Sequence, residues 1–229
     1  MKVGICNLCL ETKQLGPESH IIPDSFYKFL YGKNKSIVYL NEQRKEIKHN
    51  SEYDEYILCQ DCERNRLGKL DSYGANFLYK ESISGTDRNI ELIDGVKCLV
   101  IPKGQSYDYA SLKLLLLSIL WRASISSRPF FNKVKLPTEV QERIRLMILE
   151  RNPGPYEEFP IFIFLPHLIH NPEGQEGFSQ MSMVTMNPIC AKNENGFELY
   201  KFLISGISYY FIISHPKTFK IVPSMTEKN

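Results

Sequence analysis

Of the side chains in this sequence able to do chemistry, four cysteines stand out because they come in pairs: Cys6-x-x-Cys9 and Cys59-x-x-Cys62. Each pair brings two sulfurs to one side of a tight turn, and two pairs supply the four thiolates that Zn²⁺ accepts tetrahedrally at about 2.3 Å. A closed four-sulfur shell leaves no position for water, so a metal held there is structural. Reduced core cysteines or a redox pair are the plainer readings of the same spacing. Cys98 and Cys190 stand alone and read as small buried hydrophobes.

Between the pairs lies His20, in "GPESHIIPDSFYKFL". An imidazole is the side chain best suited to take a proton near neutral pH, though it could equally pack beside the knuckles and bond to backbone. Directly after Cys62 come Glu63 and Asn65. Arg64, Arg66 and Lys69 follow on the same stretch and could clamp phosphates; the bland alternative is a solvated helix face. Trp121 reads as core, and Arg122 beside it as a snorkelling, carboxylate-paired or phosphate-binding cation. His167 and His170 form an H-x-x-H, but Pro166 and Pro172 argue against the helix such a metal site needs. His49 and His215 show no partner pattern.

The elements that must position these groups can be read in part. Pro23, Asp24 and Ser25 open a short helix carrying Phe26, Phe29 and Leu30 on one face. Lys33 to Glu55 is charged and predicts a hairpin or exposed loop. Leu67, Leu70, Tyr73/Gly74, Phe77 and Leu78 recur at helical spacing, so the second knuckle leads straight into a helix. Asp94-Gly95 marks a hairpin, and Asp108 caps a helix over 109–126 that is apolar nearly all round and so belongs at the centre of a core. Thr138 and Gln141 at capping-box spacing open a surface helix with Val140, Ile144, Met147 and Ile148 on one face, ending before Pro153. The remainder, rich in β-branched and aromatic residues, predicts an antiparallel sheet.

The fold class is therefore α+β: a zinc-knuckle head over residues 1–82, and a C-terminal part over 83–229 of hairpin, buried helix, surface helix and antiparallel sheet, packed on the head. A length of 229 residues allows one good core with a small appended module. With 43% hydrophobic and 24% charged residues the chain is neither disordered nor fibrous. A net charge of +2 gives no bulk argument for nucleic acid, so that case must rest on local geometry. No secretory signal is seen and the apolar runs fall short of the roughly 20 residues a membrane span requires; a cytoplasmic protein with reduced thiols and no membrane partner is expected.

A knuckle on an N-terminal hairpin, then "SHIIP" (Ser19 to Pro23), then a knuckle opening into "ERNRLGKLD", resembles the zinc-knuckle, treble-clef form of the HNH (ββα-metal) endonuclease family over roughly the first 75 residues. The resemblance implies metal-dependent hydrolysis of phosphodiesters, in DNA rather than RNA, in a setting such as bacterial defence. It makes His20 the general base, Glu63 with Asn65 or Glu18 the holders of a catalytic Mg²⁺ or Mn²⁺, and Cys6, Cys9, Cys59 and Cys62 the holders of structural Zn²⁺. Asn50 is a second candidate for the family's middle asparagine, and Asp71 matches a recurring Leu-Gly-x-x-Asp feature of such heads. Ser19 stands where many members carry a metal-binding Asp. The alternative is therefore a catalytically degenerate, zinc-stabilised module that binds nucleic acid or protein, with the C-terminal sheet as a docking surface for a protein partner.

Overall fold

The computed structural model describes residues 2–27, 37–40, 45–48, 52–81, 90–93, 96–99, 107–164, 184–192, 194 and 197–213, with the backbone alone for 37–40, 45–48, 79–81, 90–93, 96–99 and 184. Phe29, Leu30, His49, Asn50, the Asp94-Gly95 turn, His167, His170 and His215 lie outside them, as does the side chain of Cys98.

The chain begins with an antiparallel hairpin, β1 (Lys2–Ile5) and β2 (Thr12–Leu15), whose turn carries Cys6 and Cys9. The Leu10 amide bonds back to the Cys6 carbonyl (2.8 Å), with Leu10 at φ 61°, which closes the first knuckle. The second knuckle is clipped to this hairpin by backbone: Leu15 bridges Cys59, Gly16 N donates to Leu58 O (2.9 Å) and Tyr56 N to Gly16 O (3.1 Å). A two-residue strand β3 (Ser19–His20) pairs antiparallel with β6 (Tyr53–Asp54), setting His20 opposite Tyr53 and Ser19 opposite Asp54. Between them the chain makes a single 3₁₀ turn over Asp24–Tyr27, which buries Phe26, and then the hairpin β4 (Ile37–Leu40) and β5 (Lys45–Lys48). The helix expected after the second knuckle is one helical run, α1, over Cys62–Leu67, Gly68–Gly74 and Ala75–Glu81. Its first and last stretches have wide turns, as where Gly68 N bonds back to Glu63 O. Such widenings often fall at functional positions.

After the hairpin β7 (Ile90–Ile93) and β8 (Val96–Leu99) comes α2 (Tyr109–Ile125), capped by Asp108, whose carboxylate accepts from Ser111 N (3.0 Å). Residues Lys113 to Ser124 are buried on every side, as the uniform apolarity demands. Helix α3 (Thr138–Glu150) is one-sided, burying Ile144, Met147 and Ile148. The capping box is not made: Pro137 holds the cap position, Thr138 is already helical, and the Gln141 side chain instead meets Ser124 of α2 (3.3 Å).

The main sheet runs β5-β4-β10-β11-β12-β9, with β9 (Ile161–Phe164), β10 (Val184–Lys192), β11 (Glu198–Ile204) and β12 (Ile207–Ile212). It is not wholly antiparallel. Strand β4 arrives from the head and pairs parallel with β10, Val38 beside Val184, so residues from both ends of the chain share one sheet. Tyr200, Phe202, Ile204, Tyr209 and Phe211 form its buried face, tied to the segment between α2 and α3 by Tyr200 Oη to Lys135 O (2.7 Å) and Asn187 Nδ2 to Phe130 O (3.3 Å). No helix among the described residues is long and apolar enough to cross a membrane.

Helices α1 and α2 meet where Gly74 faces Leu115. A Cβ at Gly74 would lie 1.9 Å from Leu115 Cδ2 and 3.2 Å from its Cγ. Leu115 is fully buried, so it has little room to turn away. Gly74→Ala is therefore expected to destabilise the protein by about 1–2 kcal/mol despite alanine's better helix propensity. Denaturant unfolding checks this; an equal or higher midpoint would contradict the close approach.

Candidate metal centre and the histidine beside it

The knuckles bring Cys6, Cys9, Cys59 and Cys62 together. Their sulfurs all lie within 4.8 Å of one another, Cys9 half-buried and the other three buried. The set could hold a zinc ion: four sulfurs at tetrahedral bond lengths sit roughly this far apart. The backbone prepares it, because Cys59 N donates to Cys6 Sγ (3.3 Å). A hydrogen bond from the Cys62 thiol, opposed by burial and helped by the amides of Cys59, Cys9 and Leu8, pulls Cys6 down to about 4. Cys62 is pushed up in turn by that shared proton and by burial. The cluster thus holds a thiolate at neutral pH, the form a metal needs.

His20 stands half-buried on β3, next in the chain to the fully buried Ser19. Its ring lies 6.5 Å from that of Tyr53, and its backbone carbonyl is held by Arg122. The guanidinium of Arg122, 0% exposed, donates to His20 O (2.8 Å), to both carboxylate oxygens of Asp71 (2.8 and 3.2 Å), and to Ser118. Arg122 is therefore carboxylate-paired, and Asp71 works inside the fold.

Glu63 projects toward this group from the first turn of α1. Burial pushes its carboxyl pKa up; Arg122, the Ser19 hydroxyl and His20 pull it back, and Asp71 adds to the rise. Ser19 Oγ is near enough to favour the Glu63 carboxylate, yet neither it nor Glu63 Oε2 has a partner of ordinary hydrogen-bond geometry, although both are sealed from solvent. Asn65 falls on another side of α1: it is exposed, donates to Asp61 (2.8 Å), and its carbonyl accepts from Arg151 (3.3 Å). Glu18 is exposed. Of the three candidate phosphate clamps on α1, Arg66 donates to Leu149 O at the end of α3 (2.8 Å), while Arg64, beside Gln60, and Lys69 are exposed.

Three residues around this site, Arg145, Asp54 and Arg128, carry no signal in the sequence. Arg145, buried on α3, is paired with Glu142 and donates to the carbonyl of Leu8 inside the first knuckle. Asp54 accepts from Ser127 N (2.6 Å), Ser126 Oγ (3.0 Å), Ser127 Oγ and Glu55 N. Arg128 donates from Nε to Tyr53 O and lies over the Tyr53 ring, 4.9 Å from its centroid. The contacts of Arg145 with Leu8, Asp54 with Ser126 and Ser127, and Arg128 with Tyr53 each join residues separated by 72 or more positions. Comparison with protein-family models, curated proteins and solved structures yields no match.

Two outcomes are expected. The purified protein carries one zinc per chain, and stripping it or changing Cys62→Ser lowers the melting temperature by about 10 °C or more; an unchanged melt in metal-free buffer would remove the centre. For Asp54, burial alone would raise the pKa, but the amides and hydroxyls around it more than offset that and hold it low. A lowered carboxyl contributes stability above its unfolded value, near 4, and loses it as pH falls through the folded one. Asp54→Asn should thus cost about 2 kcal/mol at pH 7 and progressively less toward pH 3, read by denaturant titration at both.

Proposed function

We propose that residues 1–82 form an HNH-like, treble-clef zinc head and that the protein hydrolyses phosphodiesters, in DNA rather than RNA, in the cytoplasm. The observation that carries this reading is the half-exposed His20 imidazole within electrostatic reach of Glu63, whose Oε2 is buried, as is Oγ of the adjoining Ser19. In the reaction His20 takes a proton from water as the water oxygen bonds to phosphorus and the bond to the departing sugar oxygen breaks. Mg²⁺ or Mn²⁺, for which Glu63 and Ser19 are the oxygen donors at hand, would supply positive charge for that departing oxygen. Arg122 keeps the strand bearing His20 in place through the main chain, so the ring is aimed by the fold.

A second reading has an observation of its own. Arg122 already gives Asp71 and Glu63 a buried cation, which suits a module that keeps the zinc head and does no chemistry. Incubation of zinc-loaded protein with supercoiled plasmid and Mn²⁺, beside His20→Ala, separates the two. Nicking that falls at least 100-fold in the variant supports the hydrolase; no nicking by either form leaves the binding module.

A further inference from the structure

The geometry points to Arg128 as the phosphate-binding cation of the His20 site, with Tyr53 as the shelf that holds it there. Register sets Tyr53 directly opposite His20 on the β3–β6 pair. The same Tyr53 ring is neighbour to the His20 ring at 6.5 Å and to the Arg128 guanidinium carbon at 4.9 Å. Imidazole and guanidinium are thus both neighbours of one phenol ring, three half-buried side chains contributed by the head and by the segment that follows α2.

Arg128 is fixed at its root and free at its tip. Its backbone amide donates to Ser126 Oγ (3.1 Å), the adjoining Ser127 amide to Asp54 (2.6 Å), and its Nε to Tyr53 O. Neither terminal nitrogen has a hydrogen-bond or carboxylate partner among the described residues. The acid next to Tyr53 on the strand, Asp54, is bound to Ser126 and Ser127. Half-buried on an aromatic face, with two donors in a fixed fork, a guanidinium is preorganised for a phosphate oxygen pair. The ligand is the backbone phosphate of a nucleic-acid strand, next to the one whose bond His20 would attack. This subsite rests on the hydrolase reading for its substrate, and it differs from Arg66, whose Nη1 already bonds to Leu149 O, in that both terminal nitrogens of Arg128 are without a partner among the described residues.

The test uses the full chain, zinc-loaded and carrying His20→Ala, without added Mg²⁺ or Mn²⁺, so that binding is read apart from cleavage. A labelled single-stranded 15-mer and its duplex are titrated at several salt concentrations. Adding Arg128→Gln is expected to weaken both about tenfold at low salt, whatever the sequence, and to flatten the salt dependence by about one phosphate's worth, roughly 0.7 to 0.9 in log–log slope. Arg128→Lys should keep the slope and lose about two- to fivefold, because the charge stays and the fork goes. Should Arg128→Gln melt early, the lysine variant carries the test. Unchanged affinity and slope in a folded variant, or no binding of either strand at micromolar protein, overturns the subsite. Arg128-dependent binding by a protein that nicks nothing sinks the hydrolase reading alone, while nicking that is indifferent to Arg128 in KM and salt slope sinks the subsite alone.

Discussion

A guanidinium with no exposed surface must be fully paired or it will not stay charged inside a protein. Arg122 satisfies that demand with the Asp71 carboxylate from α1, the His20 carbonyl from β3, and Ser118 from its own helix. Three elements from different parts of the chain thereby acquire fixed positions around one charge. Removing either partner of such a pair typically costs 3–5 kcal/mol, because the other is left buried alone. The site around His20 depends on this: its strand is only two residues long, too short to hold its own register without such an anchor.

The thiolate cluster answers a different constraint. The described strands of the head are only two to four residues long, and α1 is its one long element. Metal coordination can join the β1–β2 turn to the start of α1 where a small core alone would be marginal. The wide first turn of α1 follows Cys62 immediately, and Glu63 sits in it. The same knuckle that gathers sulfurs thus also aims the carboxylate toward Ser19, Arg122 and His20.

What the sequence announces and what it conceals divide by contact range. The two C-x-x-C pairs, α2 with its Asp108 cap, the one-sided α3 and the β7–β8 hairpin are local patterns, each legible from spacing along a short stretch of chain. The parallel β4–β10 pairing, Asp54 beneath Ser126 and Ser127, Arg145 on Leu8 and Arg128 on Tyr53 join residues 72 to 146 positions apart. No periodicity encodes such meetings. Arg66 makes the same point: it sits among the basic residues of α1, and only the approach of α3 shows that its Nη1 bonds to Leu149 O.

The long-range arginines share one habit. Arg122 grips the carbonyl of His20, Arg128 that of Tyr53 and Arg145 that of Leu8, while Arg66 returns the gesture from the head to Leu149. Charge-assisted bonds to main-chain oxygens fix backbone position whatever side chains the strand displays. The residues after 106 therefore act as the frame on which β3, β6 and the first knuckle are stretched, and they are more than an appendage for docking something else. A head held at three backbone points cannot slide relative to that frame, so the distance between His20 and the residues flanking it is set by the whole chain. For the proposed hydrolysis, in which the ring would have to meet a phosphate within a few tenths of an ångström, that rigidity would decide whether the histidine is merely present or aligned.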